Sequence, residues 1–199
     1  PGHGSGAQVS RPFLFYRKSK SMISIIAGTN RLGSLSSRTS HSIADIYRSL
    51  GVDCEVIELS ELPPETFSPT AYAEKPAKVL EYTDKVLQSS GLVVVSPEYN
   101  GSMSGALKLF IDLLPYPESF ENRPICYVGI ASGQFGALRP VEHLQQVFGY
   151  RNAHNFPRRV FVPAVHEVVD KEKGVLDENL ANRLREQALG FIDFCKALG

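Results

Sequence analysis

The chain has 199 residues, of which 43% are hydrophobic, so it is long enough to bury a full core in one domain. Its 21 basic and 21 acidic side chains cancel to a formal net charge of zero, which argues against nucleic-acid or anionic-membrane partners. No apolar run reaches the ~18 residues of a membrane span. Three cysteines without CxxC spacing are typical of reduced thiols. We therefore expect a soluble, cytoplasmic protein that acts on small molecules.

The first 21 residues differ in composition from the rest. They contain four Lys or Arg side chains and no acidic one, and they begin with PGHGSG rather than with an initiator Met. We interpret 1–21 as an N-terminal extension, either a cloning remnant or a leader. The folded domain is then predicted to span 22–199.

From Met22 onward, short apolar runs alternate with amphipathic segments. The runs are apolar throughout, which is typical of parallel strands covered on both faces. The amphipathic segments predict helices, for example an apolar stripe over 43–50 that Gly51 ends. The predicted strands are 22–27, 54–59, 92–95, 125–130 and 160–165.

Five strands that alternate with five helices predict an α/β fold with a doubly wound parallel sheet. Right-handed crossovers place helices on both faces of such a sheet. We expect the strand order 2-1-3-4-5, in which the loops after strands one, three and four meet where the order reverses. Ligands bind at that point in open α/β sheets.

The loop after the first strand, GTNRLGSLSSRTS at 28–40, is dense in hydroxyls where a helix begins. A helix N-terminus offers unpaired N–H donors and partial positive charge, which suit a phosphate. Arg31 can add a forked contact, and the hydroxyls of Thr29, Ser34 and Ser36 can donate hydrogen bonds. Simple capping of the helix by a Ser-rich segment is the alternative.

Two other phosphate motifs do not fit this loop. A P-loop requires a lysine after its second glycine, and none follows Gly33. A dinucleotide fingerprint requires two glycines where only one stands here. A monophosphate held mainly by hydroxyls, such as that of FMN, is the better interpretation.

The loop after the third strand, SPEYNGSMSG at 96–105, runs from an apolar strand into an apolar helix. Pro97 fixes one backbone dihedral angle, and Gly101 permits positive φ. The loop can therefore aim successive N–H groups at a flat ligand with polar edges. We interpret it as a cofactor site.

The loop after the fourth strand is ASGQFGALRP at 131–140. Gly133 and Gly136 allow close approach of the backbone, and Ser132 and Gln134 can form hydrogen bonds at a ring edge. An ordinary turn before the next helix is the alternative. The convergence of three such loops favours a shared ligand.

The motifs GTNRLGSLS at 28–36 and PEYNGS at 97–102 resemble those of the NAD(P)H-dependent FMN reductases of the flavodoxin-like superfamily, which includes azoreductases, quinone reductases and chromate reductases. The resemblance implies a flavodoxin-like fold, FMN as cofactor and NADPH or NADH as electron donor. Many members have Asn where Ser36 stands here. By this resemblance, the phosphate would be held by Thr29, Arg31, Ser34 and Ser36, one side of the isoalloxazine would be lined by Pro97, Glu98, Tyr99 and Asn100, and its other edge by Ser132, Gly133 and Gln134.

The resemblance also implies an activity. Hydride would pass from a nicotinamide through FMN to an acceptor such as a quinone, an azo compound, free flavin or a metal oxyanion. No catalytic side chain and no metal are expected, because the cofactor carries the reaction. The alternative is a flavodoxin-like electron carrier or redox-responsive module without nicotinamide turnover. Carriers of that kind are acidic, so the neutral charge of this chain favours the enzyme.

The segment 106–114 has two apolar stripes rather than one. One stripe can cover the sheet, and the other then requires a second partner. We therefore expect a homodimer or homotetramer built partly on this helix, with a helix deeply buried in a monomer as the alternative. The stripes are Leu107, Phe110, Ile111 and Leu114 on one side, and Ala106, Leu109 and Leu113 on the other.

Overall fold

The structure is a computed structural model that describes residues 22–199, so the predicted extension at 1–21 lies outside the described residues. Three short 3₁₀ turns, Leu59–Glu61, Pro64–Phe67 and Pro69–Tyr72, join the second strand to the second helix. The helices and strands, in chain order, are β1 Ile23–Ala27, α1 Leu35–Ser49, β2 Cys54–Glu58, α2 Ala77–Gln88, β3 Gly91–Pro97, α3 Gly105–Leu113, β4 Pro124–Ile130, α4 Leu138–Tyr150, β5 His154–Asn155, β6 Val160–Val162, α5 Val165–Val168, β7 Val169–Asp170, β8 Gly174–Val175 and α6 Glu178–Leu198.

The main sheet is parallel and has the order β2-β1-β3-β4-β5, with β6 also paired to β4. In its register, Ile25 of β1 lies between Val56 of β2 and Val93 of β3. Every residue of β3 and β4 is buried, as their continuous apolar sequences predict. The predicted fold class and strand order are confirmed.

Hydrophobic cores lie on both faces of the sheet. Helices α2, α3 and α4 cover one face, where Phe110 and Phe148 are fully buried. Helices α1 and α6 cover the other face, with Tyr47 and Phe191 at its centre. The two layers fix the sheet rigidly between them, so the loops at its carboxyl end start from well-defined positions.

The last strand of the sheet differs from the prediction. Instead of one strand over 160–165, β5 pairs with the start of β4 and β6 with its end. Pro157 lies in the interruption and has no N–H to donate to a ladder. Gln187 of α6 compensates, because its side-chain Nε2 donates to Tyr127 O at 2.9 Å and to Arg158 O at 2.8 Å.

Helix α3 has two apolar stripes that the chain itself largely covers. Leu107 and Phe110 of the first stripe are fully buried, and Ala106 and Leu113 of the second stripe are only 6% and 2% exposed. Leu109, also of the second stripe, is only partly buried. A homodimer or homotetramer built partly on this helix stays a prediction. Over the residues that the structure describes, no helix combines the length and apolar character needed to cross a bilayer.

Candidate functional site

The loops that follow β1, β3 and β4 lie side by side at the carboxyl end of the sheet. We call these residues, 28–36, 97–104 and 131–137, the rim. Hydrogen bonds join the first loop to the second and the second to the end of β4: Thr29 Oγ1 lies 2.8 Å from the Tyr99 hydroxyl, and the N–H of Glu98 donates to Ile130 O at 3.2 Å, directly before the third loop. The predicted meeting of the loops therefore occurs in the structure.

Gly28 fixes the start of the first loop against the neighbouring strand. Its N–H donates to Val95 O at 2.9 Å, and Ser104 Oγ donates to its carbonyl at 2.7 Å. A Cβ atom at this position would lie 2.6 Å from Val95 O and 3.0 Å from Leu107 Cδ2. Glycine is therefore required by close packing, a reason that the sequence alone did not give.

The first turn of α1 presents N–H groups towards the rim. Ser34 is the N-cap residue, with its Oγ accepting from the N–H of Ser37 at 3.1 Å, and its carbonyl accepts the first helical bond from Arg38. The N–H groups of Leu35 and Ser36 precede that bond and point out of the helix end. A capping hydroxyl that accepts one bond can still donate another. The turn is therefore suited to an anion.

Glu58, at the end of β2, supports the same turn, and sequence reasoning missed it. Its Oε1 accepts a hydrogen bond from Ser37 Oγ at 2.6 Å and lies 3.0 Å from His41 Nε2. The side chain of Glu58 is only 15% exposed. Its position at the carboxyl end of a strand beside β1 was the one signal that could have found it.

Arg31 is an exposed cation close to this turn. No salt bridge to it is found within residues 22–199, so its guanidinium is available to an external anion. Gly33, two residues on, has φ +63° and open space around the position of a Cβ atom. The cation, the helix N-terminus, the hydroxyls and the open space together fit a monophosphate.

The loop after β3 contains a tight turn. Tyr99 and Ser102 exchange both backbone hydrogen bonds, at 2.8 and 3.0 Å. The central residues Asn100 and Gly101 have φ of 52° and 77°, as a type I′ turn requires. Positive φ was predicted at Gly101 but not at Asn100, although the Asn-Gly pair is the usual signal for this turn.

The other predicted residues of this loop have distinct positions. Pro97 ends β3 and is buried. Glu98 directs its carboxylate to Arg139 of α4, with Oε1 to Nη1 at 3.3 Å. Ser102 Oγ lies 2.9 Å from His143 Nδ1, also on α4. The loop therefore rests on α4 through two side-chain contacts.

The loop after β4 is the most open part of the rim. Ser132, Gly133 and Gln134 are all exposed, and a Cβ atom at Gly133 would find no atom within 4 Å. Phe135 is 54% exposed, with the Arg139 guanidinium 5.3 Å from its ring centroid. The space beside this loop fits the edge of a flat ring, and Phe135 was not singled out from the sequence.

The cysteine side chains lie away from the rim. All three are free thiols, and Cys126 is in the middle of β4. Burial raises the pKa of Cys126 and raises that of Cys195 to about 12, so both stay neutral near pH 7. Over the described residues, no group of three His, Cys, Asp or Glu side chains is placed to hold a metal ion.

The fold is a flavodoxin-like α/β fold with three polar loops at the carboxyl end of its sheet. A family model described as NADPH-dependent FMN reductase matches residues 21–167. The chain belongs to this family, as its motifs indicated.

Relatives with printed activities agree with the family. NAD(P)H-dependent FMN reductase PA1204 of Pseudomonas aeruginosa is 26% identical over 166 residues, which cover 81% of this chain and 88% of the relative. A quinone reductase of Escherichia coli is 30% identical over 123 residues, covering 60% and 65%. The fold is shared with the flavoenzyme NAD(P)H:(acceptor) oxidoreductase FerB of Paracoccus denitrificans, with a TM-score of 0.76, 21% identity and coverage of 90% and 99%.

The protein is therefore an enzyme, a flavin-dependent NAD(P)H oxidoreductase whose cofactor is FMN. The expectation of a reductase rather than an electron carrier is confirmed at this level. Its acceptors are small molecules, as the family implies.

Proposed function

We propose that the enzyme transfers electrons from NADPH or NADH, through FMN held at the rim, to a quinone. The convergence of three polar loops on one edge of the sheet carries this proposal. Quinone is favoured among the acceptors because relatives in Escherichia coli and Arabidopsis thaliana are named for quinone reduction. Azo compounds, free flavin and metal oxyanions are the competing acceptors.

At the phosphate end, the first turn of α1 supplies the donors. Ser34 and Ser36 would each donate a hydroxyl hydrogen, and the N–H groups of that turn would add their partial positive charge. Arg31 would close the site from the solvent side with a charge-assisted bond. Thr29 belongs to the same loop but is only 1% exposed, so its side chain is the least accessible of the four.

At the ring end, the backbone supplies the contacts. The turn at Tyr99–Ser102 and the exposed backbone of Ser132, Gly133 and Gln134 would line opposite edges of the isoalloxazine. Glu98 would contribute its backbone carbonyl, because its N–H donates to Ile130 O and its carboxylate is directed to Arg139. The open face above these loops would admit the nicotinamide and the acceptor in turn.

The chain's own residues bind and orient rather than transfer protons. FMN, when bound, supplies the two-electron chemistry that links the nicotinamide to the acceptor. We assign no side chain as a general acid or base, and no metal. The exposure of Ser132 to Phe135 supports an acceptor site that selects flat molecules by stacking.

We also propose that the enzyme is a cytoplasmic homodimer or homotetramer. A groove of about 370 Å³ between α3 and α4 includes Tyr150, which is 80% exposed. The Arg151 guanidinium lies 4.6 Å from the ring centroid of Tyr116 and 5.4 Å from that of Tyr150. Tyrosine and arginine are enriched at the centres of protein interfaces. Light scattering that gives a 21.9 kDa species at micromolar concentration would contradict this assembly.

The test of the activity begins with reconstitution. The protein is incubated with excess FMN, desalted, and then mixed anaerobically with NADPH or NADH. We expect a yellow protein whose visible band bleaches with at least one donor and returns when 1,4-benzoquinone is added. A colourless protein after desalting would contradict the site, and a yellow protein that neither donor bleaches would contradict the nicotinamide step.

A panel of acceptors then tests the choice of quinone. Steady-state rates are compared for benzoquinone, an azo dye, riboflavin and chromate at one donor concentration. We expect the largest kcat/KM for benzoquinone. A larger value for any other acceptor would replace quinone with that acceptor class and leave the flavin site intact.

A further inference from the structure

Thr29 has a different environment from the other phosphate candidates. Its Oγ1 accepts a hydrogen bond from the N–H of Arg31 at 3.2 Å and lies 2.8 Å from the hydroxyl of Tyr99. Ser36, another phosphate candidate, is almost as buried, with 3% of its surface exposed against 1% for Thr29, so the two hydrogen bonds of Oγ1 rather than burial distinguish Thr29. Its hydroxyl therefore already has two protein partners.

Tyr99 is the partner that links two separate loops. It lies 70 positions from Thr29 along the chain and belongs to the turn closed with Ser102. The turn would line the flavin ring, whereas Thr29 lies in the loop that would hold the phosphate. The hydrogen bond between them therefore joins the two ends of the proposed cofactor site.

A second contact between the same loops lies deeper. Ser104 Oγ donates to Gly28 O at 2.7 Å and also accepts from the N–H of Leu107, and Ser104 is 1% exposed. That contact fixes the base of the loops, where the strand and helix begin. The Thr29 to Tyr99 bond is only partly buried and lies one residue further along the first loop, towards Arg31.

We propose that Thr29 and Tyr99 form a positioning pair, in which the Thr29 hydroxyl orients Tyr99 and Arg31 instead of contacting the phosphate. This inference rests on the proposed function. Because Oγ1 holds the N–H of Arg31, it sets the direction in which the first loop leaves the sheet. Because it also holds the Tyr99 hydroxyl, it restrains the aromatic ring beside the flavin. Loss of either group then disturbs both ends of the site.

The test compares two ligands that differ only in the phosphate. Dissociation constants for FMN and for riboflavin are measured by flavin fluorescence with Thr29→Val, Tyr99→Phe and the double variant. We expect each single variant to weaken both ligands about fivefold, as for one ordinary hydrogen bond. For each flavin, the dissociation constant of the double variant should be at most about twofold above that of the weaker-binding single variant. Both single variants remove the same hydrogen bond, so its loss counts only once.

Several results would overturn the pair. If Thr29→Val weakens FMN but leaves riboflavin unchanged, the Thr29 hydroxyl acts only at the phosphate end, directly or through Arg31, and does not restrain Tyr99 beside the ring. If the effects of the two single variants multiply in the double variant, the residues act independently. Thr29→Ser, which retains the hydroxyl, should restore most of the affinity, and failure to do so would assign the effect to packing of the methyl group.

Matched controls separate positioning from stability. Tyr72→Phe and Thr70→Val alter exposed residues far along the chain from the rim, and should leave both dissociation constants unchanged. Thermal unfolding of each apo variant shows whether it remains folded, and Tyr99→Phe is the milder change if Thr29→Val does not fold. A wild-type protein that binds neither flavin would refute the proposed function itself, and the pair with it.

Discussion

The loops after β1 and β4 both border the rim, but they are built differently. The first loop is held at its start, where Gly28 packs on Val95, its carbonyl accepts from Ser104, and Thr29 is buried, whereas residues 30–33 beyond it are exposed. The second is exposed from Ser132 to Phe135, and its internal bond from Gly136 N–H to Gly133 O is 3.4 Å long.

The contrast indicates two tasks. The buried start of the first loop is held by the protein itself, so less ordering entropy would be lost when a cofactor binds there. The exposed residues 132–135 are open to a molecule that stacks on the cofactor. We therefore expect changes in the first loop to alter stability and cofactor binding, and changes in the second to alter acceptor preference.

Paired glycine substitutions test this contrast most strongly. Gly28→Ala places a Cβ atom 2.6 Å from the Val95 carbonyl oxygen, so we expect a loss of about 1–3 kcal/mol in the free energy of unfolding. At Gly133, a Cβ atom would have no neighbour within 4 Å, so Gly133→Ala should change the free energy of unfolding by less than about 0.5 kcal/mol. Urea unfolding measures both. Equal losses would mean that the two loops are equally constrained.

Ser104→Ala tests the deeper tie of the first loop. The substitution removes the N-cap of α3 and the donor to Gly28 O, so we expect a loss of about 1–2 kcal/mol in the free energy of unfolding. Ser102→Ala is the control, because its hydroxyl contacts only an exposed histidine, His143. Equal losses in the free energy of unfolding for the two variants would mean that the hydrogen bond from Ser104 to Gly28 O does not stabilise the fold.

Arg31→Ala tests the phosphate end. We expect the dissociation constant for FMN to rise about tenfold, equivalent to about 1.4 kcal/mol, with little change for riboflavin, which lacks the phosphate. Arg158→Ala, another exposed arginine, serves as the control. Equal weakening of both flavins by Arg31→Ala would place the guanidinium at the ring instead.

The ion pair between the rim and α4 should have the smallest effect. The Arg139 side chain is 56% exposed and the Glu98 Oε1 to Arg139 Nη1 distance is 3.3 Å, so solvent and salt screen the attraction. A double-mutant cycle with Glu98→Gln and Arg139→Gln should give a coupling below about 1 kcal/mol that falls further in salt. A larger, salt-insensitive coupling would make the pair a structural element of the rim.

The fold class and the strand order could be predicted from the sequence, and the reasons are physical. Strands buried on both faces need continuous apolar sequence, and 92–95 and 125–130 have it. Right-handed crossovers place helices on both faces of such a sheet, and 2-1-3-4-5 is one of the two common strand orders of the doubly wound fold. The positions of the three loops followed from both.

The remaining features depend on contacts between distant residues. Glu58 beside Ser37, and Thr29 beside Tyr99, are set by how β2, α1 and the loop after β3 come together, which no local pattern encodes. The sequence also did not show how far the chain itself covers the two stripes of α3, where Leu113 is buried but Leu109 is only partly buried. The division of the last strand likewise depends on Gln187, 30 positions beyond Pro157.

Because the last strand is interrupted, α6 has a second structural role in addition to its part in the hydrophobic core. Gln187 donates to Tyr127 O of β4 and to Arg158 O between β5 and β6. A helix side chain therefore supplies hydrogen bonds where the backbone ladder of the sheet is interrupted. A carbonyl without a donor in this gap would destabilise the fold. The C-terminal helix thus completes the hydrogen bonding of the sheet through one amide as well as covering one of its faces.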